Sequence, residues 1–205
     1  MLSRLKHTLL FVMLTAFLSG FAGGALAADS PVLDRVVDKR VLRVGMSGSQ
    51  PPFNVKSRSG SLIGIEVDLA TAIAAGLRVE LEIVQKPFGE LLGELDAGRV
   101  DMVMSGMAVT PERAQNVSFV GPYLMSGKSI LTKSSTLASV GDTGAINSAD
   151  VTLAAQSNST SEMFANRALP EAKLVAVADY DEANRLLTED KVDAVVADMP
   201  ICALS

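Results

Sequence analysis

"FGELLGELDAGRVDMVMSG", Phe88 to Gly106, decides the fold class. Phe88 to Gly98 reads as a helix that stops at a glycine, and Val100 to Gly106 as an apolar strand with a glycine exit. Upstream, "VELEIV" (Val79 to Val84) alternates like a strand with one wet face. "IEVDLATAIAAG" sets Val67, Ala70, Ile73 and Ala74 on one helical face, with Gly76 as its stop. "VLRVGM" (Val41 to Met46) reads as a strand, "SGSQPPF" as a loop and "SRSG" (Ser57 to Gly60) as a turn. Strand, helix, strand, helix, strand implies parallel pairing through crossover helices, an α/β fold.

Downstream the order continues. "TPER" (Thr110 to Arg113) suits a helix start, with Thr110 as N-cap and Pro111 in the first helical position. "VSFVGPYLMSG" breaks into short apolar pieces, and a linker is expected near Tyr123 to Gly127. Beyond it "KSILTK", "VTLAA", "KLVAV" and "VDAVVAD" read as strands, and Ser159–Leu169 and Asp181–Asp190 as helices. "LDAGRVDMVMS" (Leu95 to Ser105) and "LTEDKVDAVVA" (Leu187 to Ala197) share a pattern. They are either an internal repeat or two independent helix-turn-strand units. In open α/β sheets ligands gather at the carboxyl ends of such strands.

The 205 residues carry a formal charge of -5, which argues against nucleic acid and anionic membranes as main partners. "MLSRLKH", the apolar "TLLFVMLTAFLSG" and "ALA" read as a signal peptide spanning 1–27 and cut after Ala27. No later apolar run is long enough for a transmembrane helix. His7, the one histidine, leaves with the signal, so the mature chain has no imidazole for nucleophile activation or metal binding. Cys202, the one cysteine, excludes an internal disulfide and reads as a small buried apolar residue. No cofactor or metal is expected.

Several residues could carry chemistry. Arg113 is either a surface arginine or a carboxylate trap beside free helix N–H groups. Asp198, at the end of "VDAVVAD", either caps the next helix or accepts from an ammonium group. Phe88 reads as core, but with two Tyr and no Trp in the chain each aromatic side chain counts for more. "QSNST" (Gln156 to Thr160) is either an ordinary capped helix start or a set of N–H groups aimed at an anion. Met102, Met104 and Met107 read as core. Glu66 and Asp68 read as acids suited to the start of a helix.

"VLRVGMSGSQPPF", "LIGIEVDLATAIA", "GRVDMVMSGMAVTPER" and "KVDAVVADMP" together resemble the polar amino-acid-binding proteins of ABC importers, extracellular solute-binding family 3. The resemblance runs from about Val41 to the end, and "SGMAVTPER" is its most specific block. It implies a two-lobe periplasmic-binding-protein-like (type II) α/β fold with the ligand clamped between lobes. Lobe 1 would be residues 28–124, and 125–205 would form hinge and lobe 2. By position, Arg113 would bind the ligand carboxylate, helped by the N–H groups of Ala108 and Thr160. Asp198 and the Gly106 carbonyl would take the ammonium. Phe88 would pack on the ligand side chain, and Ser47, Gln50 and Gln156 would line its pocket. Ala108 stands where the family usually has Thr, Gln50 where an aromatic is common, and Thr160 where Gly is frequent.

The implied protein is a monomeric periplasmic component that delivers an amino-acid-like solute to a permease in the inner membrane. It is not expected to be an enzyme. The alternative is an enzyme on the same fold, resembling the periplasmic cyclohexadienyl (arogenate) dehydratases. That chemistry needs an acid or base in the cleft, and Asp198 is the one cleft carboxylate legible in the sequence. A complete family member would continue past Ser205, so the chain is expected to be truncated, with an open sheet edge and an uncovered first-lobe face.

Overall fold

The computed structural model describes residues 30–139 and 144–205. The expected signal peptide at 1–27 lies outside the described residues. The chain divides into a unit of residues 1–34 and a unit of residues 35–205. Described residues 30–34 of the first unit hold the opening turn of helix α1 (Pro31–Lys39), and the sheets and the site belong to the second unit.

A three-stranded parallel sheet is built around β1 (Val41–Met46). On one side β5 (Glu80–Gln85) pairs along its whole length, from Val41↔Glu80 to Met46↔Gln85. On the other, β6 (Met102–Val103) pairs as Val44↔Met102 and Gly45↔Val103. β1 is central, so Leu42, Val44 and Met46 are buried. Helix α2 (Ile65–Leu77) crosses between strands and buries Ala70 and Ala74, while Val67 is half-buried and Ile73 largely exposed. It runs through Gly76, the expected stop. It ends instead on Arg78, whose left-handed backbone (φ 58°) lets its N–H close on Ala74 and Ala75. Phe88–Glu90 forms a 3₁₀ turn ahead of α3 (Leu91–Asp96), where the sequence pattern predicts one continuous helix. Gly45 lets this helix pack closely, since a Cβ there would stand 3.1 Å from Leu91 Cδ2. Between β1 and α2 lies a small antiparallel sheet of β2 (Ser49–Gln50), β3 (Asn54–Lys56) and β4 (Leu62–Ile63).

The chain then makes α4 (Pro111–Ala114), capped by Thr110 as expected, and an irregular stretch that includes Tyr123–Gly127. The second large sheet has the order β7-β10-β8-β9. β8 (Thr152–Gln156) lies parallel to both β9 (Lys173–Val177) and β10 (Ala194–Asp198). β7 (Lys128–Thr132) runs antiparallel to β10, placing Lys128 opposite Asp198. β10 is buried on both faces with a period of two. Val195 and Ala197 join one core with Tyr180, Ala183 and Leu187 of α7 (Tyr180–Thr188). Ala194 and Val196 join the other with Ala165 of α6 (Thr160–Ala168). Two short helices, α5 (Ser135–Ala138) and α8 (Met199–Cys202), complete this half. Cys202 is half-buried against the first of these cores, less enclosed than expected.

The shared sequence pattern has a shared structural basis. Asp101 and Asp193 each precede a strand. The Asp101 N–H donates to the Arg43 carbonyl and its carboxylate accepts the Arg43 N–H, both at 2.8 Å. Asp193 does the same with Thr152, again at 2.8 Å both ways. Each aspartate thereby fixes the register of a parallel pair.

Candidate functional site

Four expected residues lie at or just past the carboxyl ends of strands: Ser47 after β1, Gly106 after β6, Gln156 on β8 and Asp198 on β10. Parallel pairing aligns those ends within each sheet, and segments that follow the first sheet's strands meet the second half there. The Gln50 amide donates to Gln156 Oε1 at 3.0 Å, a buried bond between the two halves. Phe53, from the turn between β2 and β3, is buried in the core of the second sheet beside Tyr180 and Ile201. The Arg113 guanidinium donates to the Ala108 carbonyl at 2.8 Å and to the Asn158 carbonyl across the junction at 2.9 Å. It stands 5.6 Å from the centre of the Phe88 ring, and that ring is buried. Burial pulls the Arg113 guanidinium below its ordinary value, opposed by nearby Glu112. No carboxylate among the described residues lies within ion-pair reach of Arg113.

The "QSNST" loop is a capped helix start whose N–H groups are partly engaged. Ser159 accepts from Ser161 and Glu162, and Asn158 N–H donates to Glu162 Oε2 at 2.7 Å. No described residue accepts from the Thr160 N–H.

Asp198 occupies the N-cap position of α8 without a side-chain cap bond. Its carboxylate takes a 2.8 Å ion pair from Lys128 Nζ, and the same ammonium donates to Thr160 Oγ1 at 2.7 Å. Neither the capping reading nor an unoccupied acceptor describes it. Nothing in the sequence singles out Lys128, because its role depends on the antiparallel register of β7 against β10. The Tyr180 hydroxyl is pushed up to about 12, chiefly by burial and further by Asp198.

Glu66 departs most from expectation. Its sequence position suits a helix-start acid in solvent, yet it is fully buried. It accepts from the Gly106 N–H at 2.7 Å, from the Asn54 amide and from the Tyr123 hydroxyl. Burial raises its carboxyl above the ordinary range, with those three hydrogen bonds opposing. Asn54 accepts from the Gly48 N–H, and Ser105 Oγ donates to Ser47 Oγ at 2.9 Å. One polar network therefore links Ser47, Asn54, Glu66, Gly106 and Tyr123 of the linker.

A cavity of about 760 Å³ lies beside this network. Its walls are mostly apolar, from Leu69, Met102, Val117, Phe119 and Leu124, and it reaches Gly106, Ala108 and Asp198. Arg113, Gln50 and Gln156 do not line it. Val120 and Met125 beside it are 95% and 88% exposed, so this face is largely uncovered.

The chain is similar to known proteins over most of its length. A cyclohexadienyl dehydratase from Pseudomonas aeruginosa is 29% identical over 187 residues, covering 91% of this chain and 70% of the relative. An ABC transporter arginine-binding protein from Escherichia coli is 26% identical, covering 93% of this chain and 72% of the relative. The crystal structure of an ancestral amino acid-binding protein, described as a precursor of cyclohexadienyl dehydratase, superposes with a TM-score of 0.81 at 35% identity. That match covers 84% of this chain and 76% of the other. Most of the named relatives are described as binding proteins. Residues 42–173 match the family model described as bacterial extracellular solute-binding proteins, family 3, and the chain belongs to that family, with its mixed α/β periplasmic-binding-protein-like fold.

Proposed function

We propose that the chain is the substrate-binding component of an ABC importer, closing two lobes on an amino acid or a related small polar solute. The observation that carries this is Arg113. A half-buried guanidinium, held by carbonyls on both sides of the junction and lacking a carboxylate among the described residues, is stabilised by a ligand carboxylate. The lobes are residues 28–124 and 125–205, joined near Tyr123–Gly127. The N–H groups of Ala108 and Thr160 assist Arg113, and the Gly106 carbonyl and Asp198 face the other end of the ligand. Ser47, Gln50, Gln156 and Phe88 shape the pocket.

Secretion through a signal peptide cut after Ala27 delivers the chain to the periplasm, where it acts as a monomer and presents solute to an inner-membrane permease. Family membership supports an extracytoplasmic place, and among the described residues no helix is long and apolar enough to cross a membrane.

The likeness to a dehydratase favours a second reading, catalysis in the same cleft. The carboxyls at the cleft that could serve as its acid or base are Asp198 and Glu66. Asp198 is ion-paired and Glu66 is enclosed by three hydrogen bonds, so neither carboxyl is presented free to a substrate. Calorimetric titration with the common amino acids, beside a turnover assay on prephenate or arogenate, separates the readings. Saturable heat with an amino acid and no turnover is the expected result. Turnover without amino-acid binding would reverse the order of the two.

A further inference from the structure

We propose that Lys128 sets the charge of this site, so that it selects small carboxylic acids carrying one net negative charge over neutral and cationic amino acids. The inference rests on the reading that Arg113 and Asp198 share the ligand site. The backbone register fixes Lys128 opposite Asp198, and Nζ donates to Asp198 Oδ1 at 2.8 Å and to Thr160 Oγ1 at 2.7 Å. Both side chains are mostly enclosed, at 18% and 25% exposure. The carboxylate that would receive a ligand ammonium therefore already holds a cation.

Glu112 and Arg167 interact with each other beside Arg113 and offset. Glu66 and Glu162 are bound elsewhere, Glu66 by Gly106, Asn54 and Tyr123 and Glu162 by the Asn158 N–H, and neither is bonded to Lys128 or Asp198. Tyr180 and Cys202 near Asp198 are neutral at neutral pH, both held up by burial. The three charged groups a ligand would touch, Arg113, Lys128 and Asp198, sum to one positive charge. A zwitterion adds no net charge and sets its ammonium against a second ammonium. A ligand with one extra negative charge neutralises the site, and an ammonium with three donors and two of them engaged can donate the third. Two ligand types supply that charge. One is an acidic amino acid, whose second carboxylate offsets the ammonium it also carries. The other is a 2-oxo acid, whose carbonyl oxygen replaces the ammonium.

The test is calorimetry on two near-isosteric pairs, glutamate with glutamine and 2-oxobutyrate with 2-aminobutyrate. Arginine serves as the cationic ligand. The parent chain is expected to prefer the anionic member of at least one pair tenfold or more, and the pair that discriminates names the ligand type. Lys128→Gln should bring that ratio within threefold, while Lys128→Arg should keep it. Arg113→Ala must weaken whichever ligand binds. Equal binding of charged and neutral members, or arginine binding most tightly, with Arg113 still required, would overturn the role of Lys128 and leave the site reading standing. Binding indifferent to Arg113→Ala, or no binding by any of the five ligands, would overturn both.

Discussion

Gly106→Ala probes the junction at a single atom. Gly106 has φ +57°, and a Cβ built there meets Gln50 Oε1 at 2.9 Å and Phe53 Cδ2 at 3.6 Å. Gly98 has a similar φ of +66° with nothing within 4 Å of its Cβ. Gly98→Ala therefore measures left-handed strain alone, about 1–2 kcal/mol. Gly106→Ala adds the displacement of Gln50, which bonds Gln156 at 3.0 Å. A lost bond costs about 0.5–1.5 kcal/mol, so Gly106→Ala should exceed Gly98→Ala by about that much in chemical denaturation. The Gln50–Gln156 bond is the part that joins the halves. Its loss should weaken ligand binding by about 2- to 12-fold for Gly106→Ala and leave Gly98→Ala at the parent value. In a Gln50→Ala background the excess should vanish. Equal costs for the two glycine variants, or an excess that survives Gln50→Ala, would refute the placement of Gln50 over Gly106.

Glu66 has a folded pKa above its unfolded one, so the native state holds the proton longer and stability falls as pH rises from near the ordinary value of 4.5 through the raised one. Glu66→Gln should flatten that fall, as read from denaturation midpoints across pH. Asp101→Ala should cost about 3–5 kcal/mol, because its buried carboxylate joins Arg35, Arg43 and a strand N–H. Asp193→Ala, at an exposed site with the same strand bond, should cost only about 1 kcal/mol by the same denaturation assay. Arg113→Lys should bind ligand far more weakly than the parent in titration, because a compact ammonium lacks the planar fork that reaches the Ala108 and Asn158 carbonyls and pairs with a carboxylate through parallel bonds.

The elements governed by local pattern were legible in the sequence. The β1 run, the Thr110 cap and the strand ending at Asp198 appear as read, and of the two readings of "QSNST" the capped helix start is the one found. Helix α2 passes Gly76 because one glycine costs a helix only about 1 kcal/mol, while Arg78 can close the last turn. What local pattern cannot carry is pairing between distant segments. Lys128 meets Asp198 through a strand partner 70 residues away, and Glu66 reaches Tyr123 across 57. An acid in the first turn of a helix looks the same whether solvent or a linker tyrosine covers it. The two "VD" strands hold more information than their periodicity, since both aspartates bond the neighbouring strand in one way.

That Arg113 holds a ligand carboxylate between the two halves of the chain is tested most directly by titration. The parent and Arg113→Ala are titrated with the ligand the parent binds best, at one pH and salt concentration. Removing one partner of a buried charge pair costs roughly 2–5 kcal/mol, so the dissociation constant should rise about 30- to several-thousand-fold, with the variant still unfolding cooperatively. An Arg113→Ala chain that binds within threefold of the parent would contradict it.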